Sequence, residues 1–177
     1  MCLFSCKAQQ VYPLTNSTYN IPNGSYIKDT NNDLDFYIGT WLTTYQGRTF
    51  RLSIEKELHR QKEGLVKNWY EDVLIVRYEV KDLNNILEST LSYNFGTSKK
   101  LIIMSNGLTQ SNDLNLIYRG TECGIGMGML LFKKNGANQF LWSYESGTVV
   151  VSDQTCPNYH NIQVYLPETE NLIFTKQ

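Results

Sequence analysis

Few side chains in this sequence are of the types and spacings that carry out acid–base or covalent chemistry. The only histidines are His59, in the charged run His59-Arg60-Gln61-Lys62-Glu63-Gly64, and His160, in an Asn-rich stretch. Neither belongs to an HExxH pair, and no GxSxG nucleophile elbow occurs. Carboxylates lie close together at Glu71/Asp72 and Glu168/Glu170, without an apolar setting that would raise one of them into the range of a general acid. Gly124-Ile125-Gly126-Met127-Gly128 lacks GxGxxG spacing, has no Lys-Ser/Thr behind it and leads into a strand-like run. Its glycines are read as points of close backbone approach, not as a phosphate loop. The expectation is a chain with no enzymatic activity, no cofactor and no metal.

The cysteines are more informative. There are four, Cys2, Cys6, Cys123 and Cys156. Leu3-Phe4-Ser5-Cys6 resembles a bacterial lipobox, in which an aliphatic residue and a small residue precede a cysteine that becomes lipidated. A complete export signal also has a basic start and an apolar stretch of roughly 7–15 residues, so the opening residues 1–6 are read as the stump of a lipoprotein signal with Cys6 as the lipidation site. Cys123 and Cys156 then remain as a disulfide pair for an oxidising compartment. The alternative is two buried thiols acting as small hydrophobes; zinc is disfavoured because no CxxC is present. The expected location is the bacterial cell envelope, at the outer membrane, held by lipid on Cys6. The longest apolar run, Gly124 to Phe132, is far short of the ~20 residues that a membrane helix requires.

Composition decides what kind of scaffold positions these residues. The chain has 177 residues, 41% hydrophobic and 19% charged, which suits one globular domain. A formal net charge of −1 lacks the basic excess of a nucleic-acid binder. Only two alanines occur, Ala8 and Ala137, whereas Thr, Val, Ile and Tyr are plentiful. Side chains of that kind suit pleated, half-buried surfaces. Residues 7–33 are polar, with Pro13, Pro22 and Asn23-Gly24, and read as an irregular tether; the barrel domain is expected over residues 34–177.

Strand patterns then follow one another. Tyr37–Tyr45 is followed by Thr49–Leu58, where Phe50, Leu52, Ile54 and Leu58 share one face. Residues 59–64 read as a charged connector, and Val66–Val80 as a long strand. Ile86–Phe95, Lys100–Ser105 and Leu114–Arg119 come next, with Asn106-Gly107 as a turn between the last two. Met127–Lys134, Gln139–Glu145, Thr148–Ser152, Ile162–Leu166 and Leu172–Thr175 complete nine to eleven strands. The expected fold is all-β, an antiparallel meander closed into a barrel, which leaves no exposed sheet edges.

Two resemblances attach to particular residues. Gly39-Thr40-Trp41, behind Asp35-Phe36-Tyr37-Ile38, resembles the GxW signature of lipocalins and fatty-acid-binding proteins. The resemblance implies a lipocalin-like barrel whose Trp41 plugs the closed end, with Lys176 as the basic residue covering it. Secondly, Ser5-Cys6-Lys7-Ala8-Gln9, Val11-Tyr12-Pro13-Leu14, Tyr26-Ile27-Lys28-Asp29, Tyr37-Ile38-Gly39-Thr40-Trp41, Cys123-Gly124 and the run from Leu166 to Lys176 are similar to a family of bacterial lipoproteins of unknown function. That likeness implies export and no activity.

Phe140, Trp142 and Tyr144 fall on one strand face, with Tyr70 and Tyr78 as further aromatic candidates. They read either as the wall of a small-molecule cavity or as packed core. Two functions therefore stand at this stage. One is an envelope lipoprotein whose barrel binds a small apolar or amphipathic ligand. The other is an interaction or inhibitor protein whose barrel is a filled scaffold for an unidentified protein partner.

Overall fold

The protein is described by a computed structural model covering residues 8–96, 98 and 100–177. Cys2 and the lipidation candidate Cys6 lie outside the described residues. Among the described residues there are eleven strands: β1 (Val11–Pro13), β2 (Tyr26–Lys28), β3 (Gly39–Tyr45), β4 (Arg48–Glu63), β5 (Asn68–Asp82), β6 (Asn85–Ser89), β7 (Ile103–Leu108), β8 (Leu114–Tyr118), β9 (Gly128–Lys134), β10 (Gln139–Ser146) and β11 (Leu172–Lys176). The described residues contain short 3₁₀ turns and no α-helix.

Eight of the strands close a barrel in the order β5-β4-β3-β11-β10-β9-β8-β7, with β7 pairing back to β5. All of these pairings are antiparallel. The all-β, closed meander read from the sequence is thus the observed architecture, and it is consistent with a lipocalin-like barrel. Inward positions alternate as a barrel requires. Phe50, Leu52 and Ile54 of β4, Leu74, Val76 and Tyr78 of β5, and Leu114, Leu116 and Tyr118 of β8 are all buried.

β5 organises the molecule because its two edges are used differently. One edge pairs with β4 along most of its length. The other is shared by three partners in succession: β2, parallel, at Tyr70 and Glu71; β7 at Ile75 and Val76; and β6 from Glu79 to Asp82. Side chains complete the gaps. The Ser105 hydroxyl accepts from the Leu74 amide at 2.8 Å, and the Thr90 hydroxyl accepts from the Tyr78 amide at 2.8 Å. The strand is buried from Glu71 to Val76 and again from Tyr78 to Val80, so unpaired backbone groups there would each be costly. Its outward residues Val73 and Ile75 form a second, smaller core with Phe95 and Ile102.

Four local expectations are corrected. Residues 8–33 are not an irregular tether: β1 and β2 pair in parallel, and Leu14, Ile21 and Ile27 join the main core. Buried Asp72 holds this segment, accepting from the Tyr26 hydroxyl at 2.5 Å, the Asp29 amide at 3.0 Å and the His59 amide at 2.9 Å. Residues 59–63 are not a connector but the continuation of β4 beyond a bulge between Glu57 and Arg60. The bulge turns Leu58 outward, to 65% exposure, and resets the alternation of faces. Asn106-Gly107 is not a hairpin turn but a bulge inside β7, where Gly107 has φ +80° and lies against the Leu14 carbonyl. Neither 148–152 nor 162–166 forms a strand; both run as coil beside the barrel.

Candidate functional site

Three regions qualify for attention: the two ends of the barrel and the outer face beside the long β4–β5 hairpin.

At the first end, Gly39 opens β3 with φ +125°, a backbone conformation closed to residues with a Cβ. A Cβ there would also come within 3.3 Å of the Lys176 stem. The space is used by Lys176, whose ammonium lies 5.2 Å from the Trp41 ring centroid and donates to the Phe36 carbonyl at 3.1 Å. Trp41 is 0% exposed, and its indole N–H donates to the Tyr37 carbonyl at 2.7 Å. Tyr37 in turn donates to the Phe132 carbonyl at 3.1 Å, so the 3₁₀ turn Asp35–Tyr37 is fastened over this end. Trp41 and Lys176 are cross-strand partners between β3 and β11.

The interior behind Trp41 is filled with rings. Phe140 stacks on Phe132 at 4.4 Å and on Phe174 at 5.3 Å, and meets Trp41 edge-on at 4.8 Å. Trp142 sits 5.2 Å from Phe132 and 5.4 Å from Phe174. Phe132, Phe140, Trp142 and Phe174 all have 0% exposure, so no water-sized space adjoins any of them. Of the five aromatic candidates, Phe140, Trp142, Tyr144 and Tyr78 belong to this packed core. Tyr70 is elsewhere: half-buried outside the barrel, stacked on His59 at 4.1 Å.

The second end is covered by two loop segments. Trp142 donates its indole N–H to the Pro167 carbonyl at 2.9 Å, and the Tyr144 hydroxyl donates to the Gly126 carbonyl. Leu166 is buried there and Val164 packs against the core. The Cys123–Cys156 disulfide, with Cα atoms 6.0 Å apart, ties the 122–124 turn to the coil after β10. Burial pushes the Tyr78, Tyr118 and Tyr144 phenols up, well above their ordinary value, so all three stay protonated. Tyr78 donates to Glu88, whose carboxyl is itself raised by burial.

The third region is a cleft of about 530 Å³ on the outside of the barrel. The bulge in β4 creates it. Beyond the bulge, Arg60 stands opposite Glu71 and Lys62 opposite Trp69, which places these four on one face of the hairpin. That face overlooks the outward side of β7–β8, where Met104 and Ile117 are cross-strand partners and Arg119 follows two residues on. Ile102 and Phe95 also line it, and Glu63 is the one carboxylate among the described lining residues. Lys62 is mostly enclosed; its ammonium donates to the Ser105 carbonyl at 3.3 Å and the Met104 sulfur at 3.3 Å, with Glu71 at 4.0 Å. Burial lowers its pKa, offset by Glu71, and the positive charges of Arg60 and Arg119 lower it further. Glu71 is pushed up by burial, against the pull of Lys62 and the Trp69 N–H. Arg60 is paired with Glu57 at 2.6 Å, whereas Arg119 makes no ion pair with a described residue.

Sequence reasoning missed this cleft. Its signal is present in the alternation of Arg60 and Lys62 opposite Trp69, but it can be aligned only once the position of the bulge is known. Among the described residues, no group of three His, Cys, Asp or Glu side chains is placed to hold a metal ion, and no helix is long and apolar enough to cross a membrane.

Fold and geometry together define a closed eight-stranded antiparallel β-barrel carrying the Cys123–Cys156 disulfide. Residues 1–177 match a family described as a family of unknown function, DUF6705, and the chain belongs to that family. No curated protein and no solved structure shows significant similarity to it.

Proposed function

We propose that this protein is a non-catalytic binding protein of the bacterial cell envelope, anchored by lipid on Cys6, whose barrel is a filled scaffold and whose partners bind on its outside. The observation that carries the reading is the ring packing of Phe132, Phe140, Trp142 and Phe174, each completely shielded. Ligand pockets usually offer ~300–1,000 Å³, and rings in mutual contact leave no such volume between them. Both barrel ends support the same reading. One is closed by Trp41 beneath Lys176; the other is covered by the coil around Leu166 and the disulfide-tied turn, with a pocket of about 390 Å³ bordered by Glu88, Thr121 and Ile162 beyond the packed rings. The disulfide fits an oxidising compartment, and Leu3-Phe4-Ser5-Cys6 supports lipidation. Several acyl chains on one cysteine would anchor the protein stably.

An uncharged apolar dye, phenylnaphthylamine, tests the filled barrel. The parent protein is expected to take up none. Phe140→Ala, which empties a large aromatic site, is expected to take up the dye or a smaller arene such as benzene, as dry engineered cavities do. Stoichiometric uptake by the parent protein that persists in Trp69→Phe, and so lies outside the cleft beside β5, would restore the alternative, an apolar ligand carried inside the barrel.

A further inference from the structure

We infer that the outer cleft between the β4–β5 hairpin and β7–β8 is a binding site for a small amphipathic organic anion, one with a flat apolar body and a carboxylate or sulfonate head. This deepens the proposed function and rests on its premise that binding is external.

The charges give the head group. Arg60, Lys62 and Arg119 line one cleft; Arg60 is paired with Glu57 and Lys62 lies 4.0 Å from Glu71, which leaves Arg119 as the cation without an ion-pair partner among the described residues, and exposed Glu63 is the one carboxylate among the described lining residues. Lys62 is enclosed yet poorly served. Of its three partners, one is a carbonyl, one is a thioether sulfur, which is a weak acceptor, and one is a carboxylate at the limit of ion-pair distance. An incoming anion would supply the acceptors that Lys62 and Arg119 lack, and hydrogen bonds to charged groups are the stronger kind. The Arg119 guanidinium, being planar, would engage a carboxylate or sulfonate with two parallel bonds.

The walls give the body. Trp69 lines it from the hairpin and the cross-strand pair Met104 and Ile117 from β7–β8, with the largely buried Phe95 and Ile102 also in the lining. An aromatic wall facing a thioether and branched aliphatic side chains suits a flat apolar group. The volume of about 530 Å³ falls in the size range of small-molecule sites. Trp69 is itself held in place, its indole N–H donating to Glu71 at 3.1 Å, so the wall is formed before any ligand arrives.

Anilinonaphthalene sulfonate combines an aromatic body with one sulfonate and is a suitable probe. Titrated into the oxidised full-length protein, it is expected to bind saturably at one site and to quench the emission of Trp69. The quenching bears on the site because it should be reduced in Trp69→Phe, where only Trp41 and Trp142 remain to be quenched from a distance. Arg60→Gln/Arg119→Gln is expected to weaken binding by about tenfold or more, as loss of charge-assisted contacts does. Arg119→Glu, at an exposed side chain, is an independent variant that leaves the Lys62–Glu71 pair intact, and it should weaken binding at least as much. Raising salt should weaken binding to the parent protein as well. Absence of saturable binding, or binding indifferent to both variants, overturns the proposal. Failure of the filled-barrel reading would show separately, as phenylnaphthylamine uptake by the parent protein that Trp69→Phe and Arg119→Glu leave unchanged, since the cleft cannot then be its site.

Discussion

Replacing Trp41 with alanine tests how the closed end of the barrel is held. The side chain is 0% exposed, meets Phe140 at 4.8 Å, lies under the Lys176 ammonium at 5.2 Å and donates to the Tyr37 carbonyl at 2.7 Å. Emptying a buried aromatic site costs about 3–5 kcal/mol. Loss of the cation–π contact is worth about 0.5–2 kcal/mol, and the Tyr37 carbonyl left without its donor about 1–3 kcal/mol. These contributions overlap, because all three are lost with one side chain, so a total near 5 kcal/mol is expected. Two further variants divide it. Trp41→Phe keeps a ring and loses the N–H, and is expected to cost about 1–3 kcal/mol. Lys176→Met removes the cation and retains an apolar stem, and is expected to cost about 1 kcal/mol, with a positive coupling to Trp41→Ala in a double-mutant cycle. Denaturant unfolding of the oxidised protein, followed by circular dichroism, measures each step. A Trp41→Ala loss below about 2 kcal/mol at unchanged denaturant slope would refute the reasoning, because a rigid, ring-lined site cannot collapse around a void at so small a penalty.

Three other outcomes are expected. Cys123→Ser/Cys156→Ser opens a loop with a sequence separation of 33, and chain-entropy reasoning gives a loss of about 3–4 kcal/mol in the same unfolding assay. An unchanged midpoint would mean that the coil at the second barrel end unfolds without the rest. Burial raises the Glu88 carboxyl above its ordinary 4.5, so between 4.5 and that raised value the folded state holds the proton more tightly than the unfolded chain. The parent protein should therefore lose stability relative to Glu88→Gln as pH climbs through that window and compare best below about 4.5; the Glu71 contribution is common to both proteins and cancels. A difference that is flat with pH would show that Glu88 is not shielded. Behind a complete lipoprotein export signal, Cys6→Ser is expected to move the protein from the membrane to the soluble envelope fraction, and unchanged fractionation would reject the anchor.

Much of the architecture is legible in the sequence because strand character is local. Phe50, Leu52 and Ile54 alternate with polar residues, and that period alone sets the inward face of β4 up to the bulge. Asn135-Gly136 marks the β9–β10 hairpin because Gly136 takes φ +73° there, which glycine adopts without strain. The turn at Asn106-Gly107 fails for the same physical reason that it was attractive. Glycine permits positive φ equally in a hairpin and in a bulge, and the approach of Leu14 from a distant part of the chain decides between them. The N-terminal strands are equally opaque, since β1 and β2 gain their partners only from the edge that β5 leaves open.

What this sequence determines by itself is the all-β class, the face each regular strand turns inward and the pairing candidates among its cysteines. Each depends on side-chain type or short-range period, whereas the places of Gly39, Trp41 and Lys176 at the closed end are implied by the resemblance to the GxW signature. The tertiary structure alone decides that the Phe140–Trp142–Tyr144 stripe is core, because Phe132 and Phe174 from neighbouring strands occupy the space a ligand would need. It alone brings Arg60, Lys62, Trp69 and Arg119 around one cleft. A one-residue shift in strand register moves every following side chain to the opposite face, and the bulge at Glu57/Arg60 that sets this register is held by contacts with Asp72, thirteen residues beyond His59.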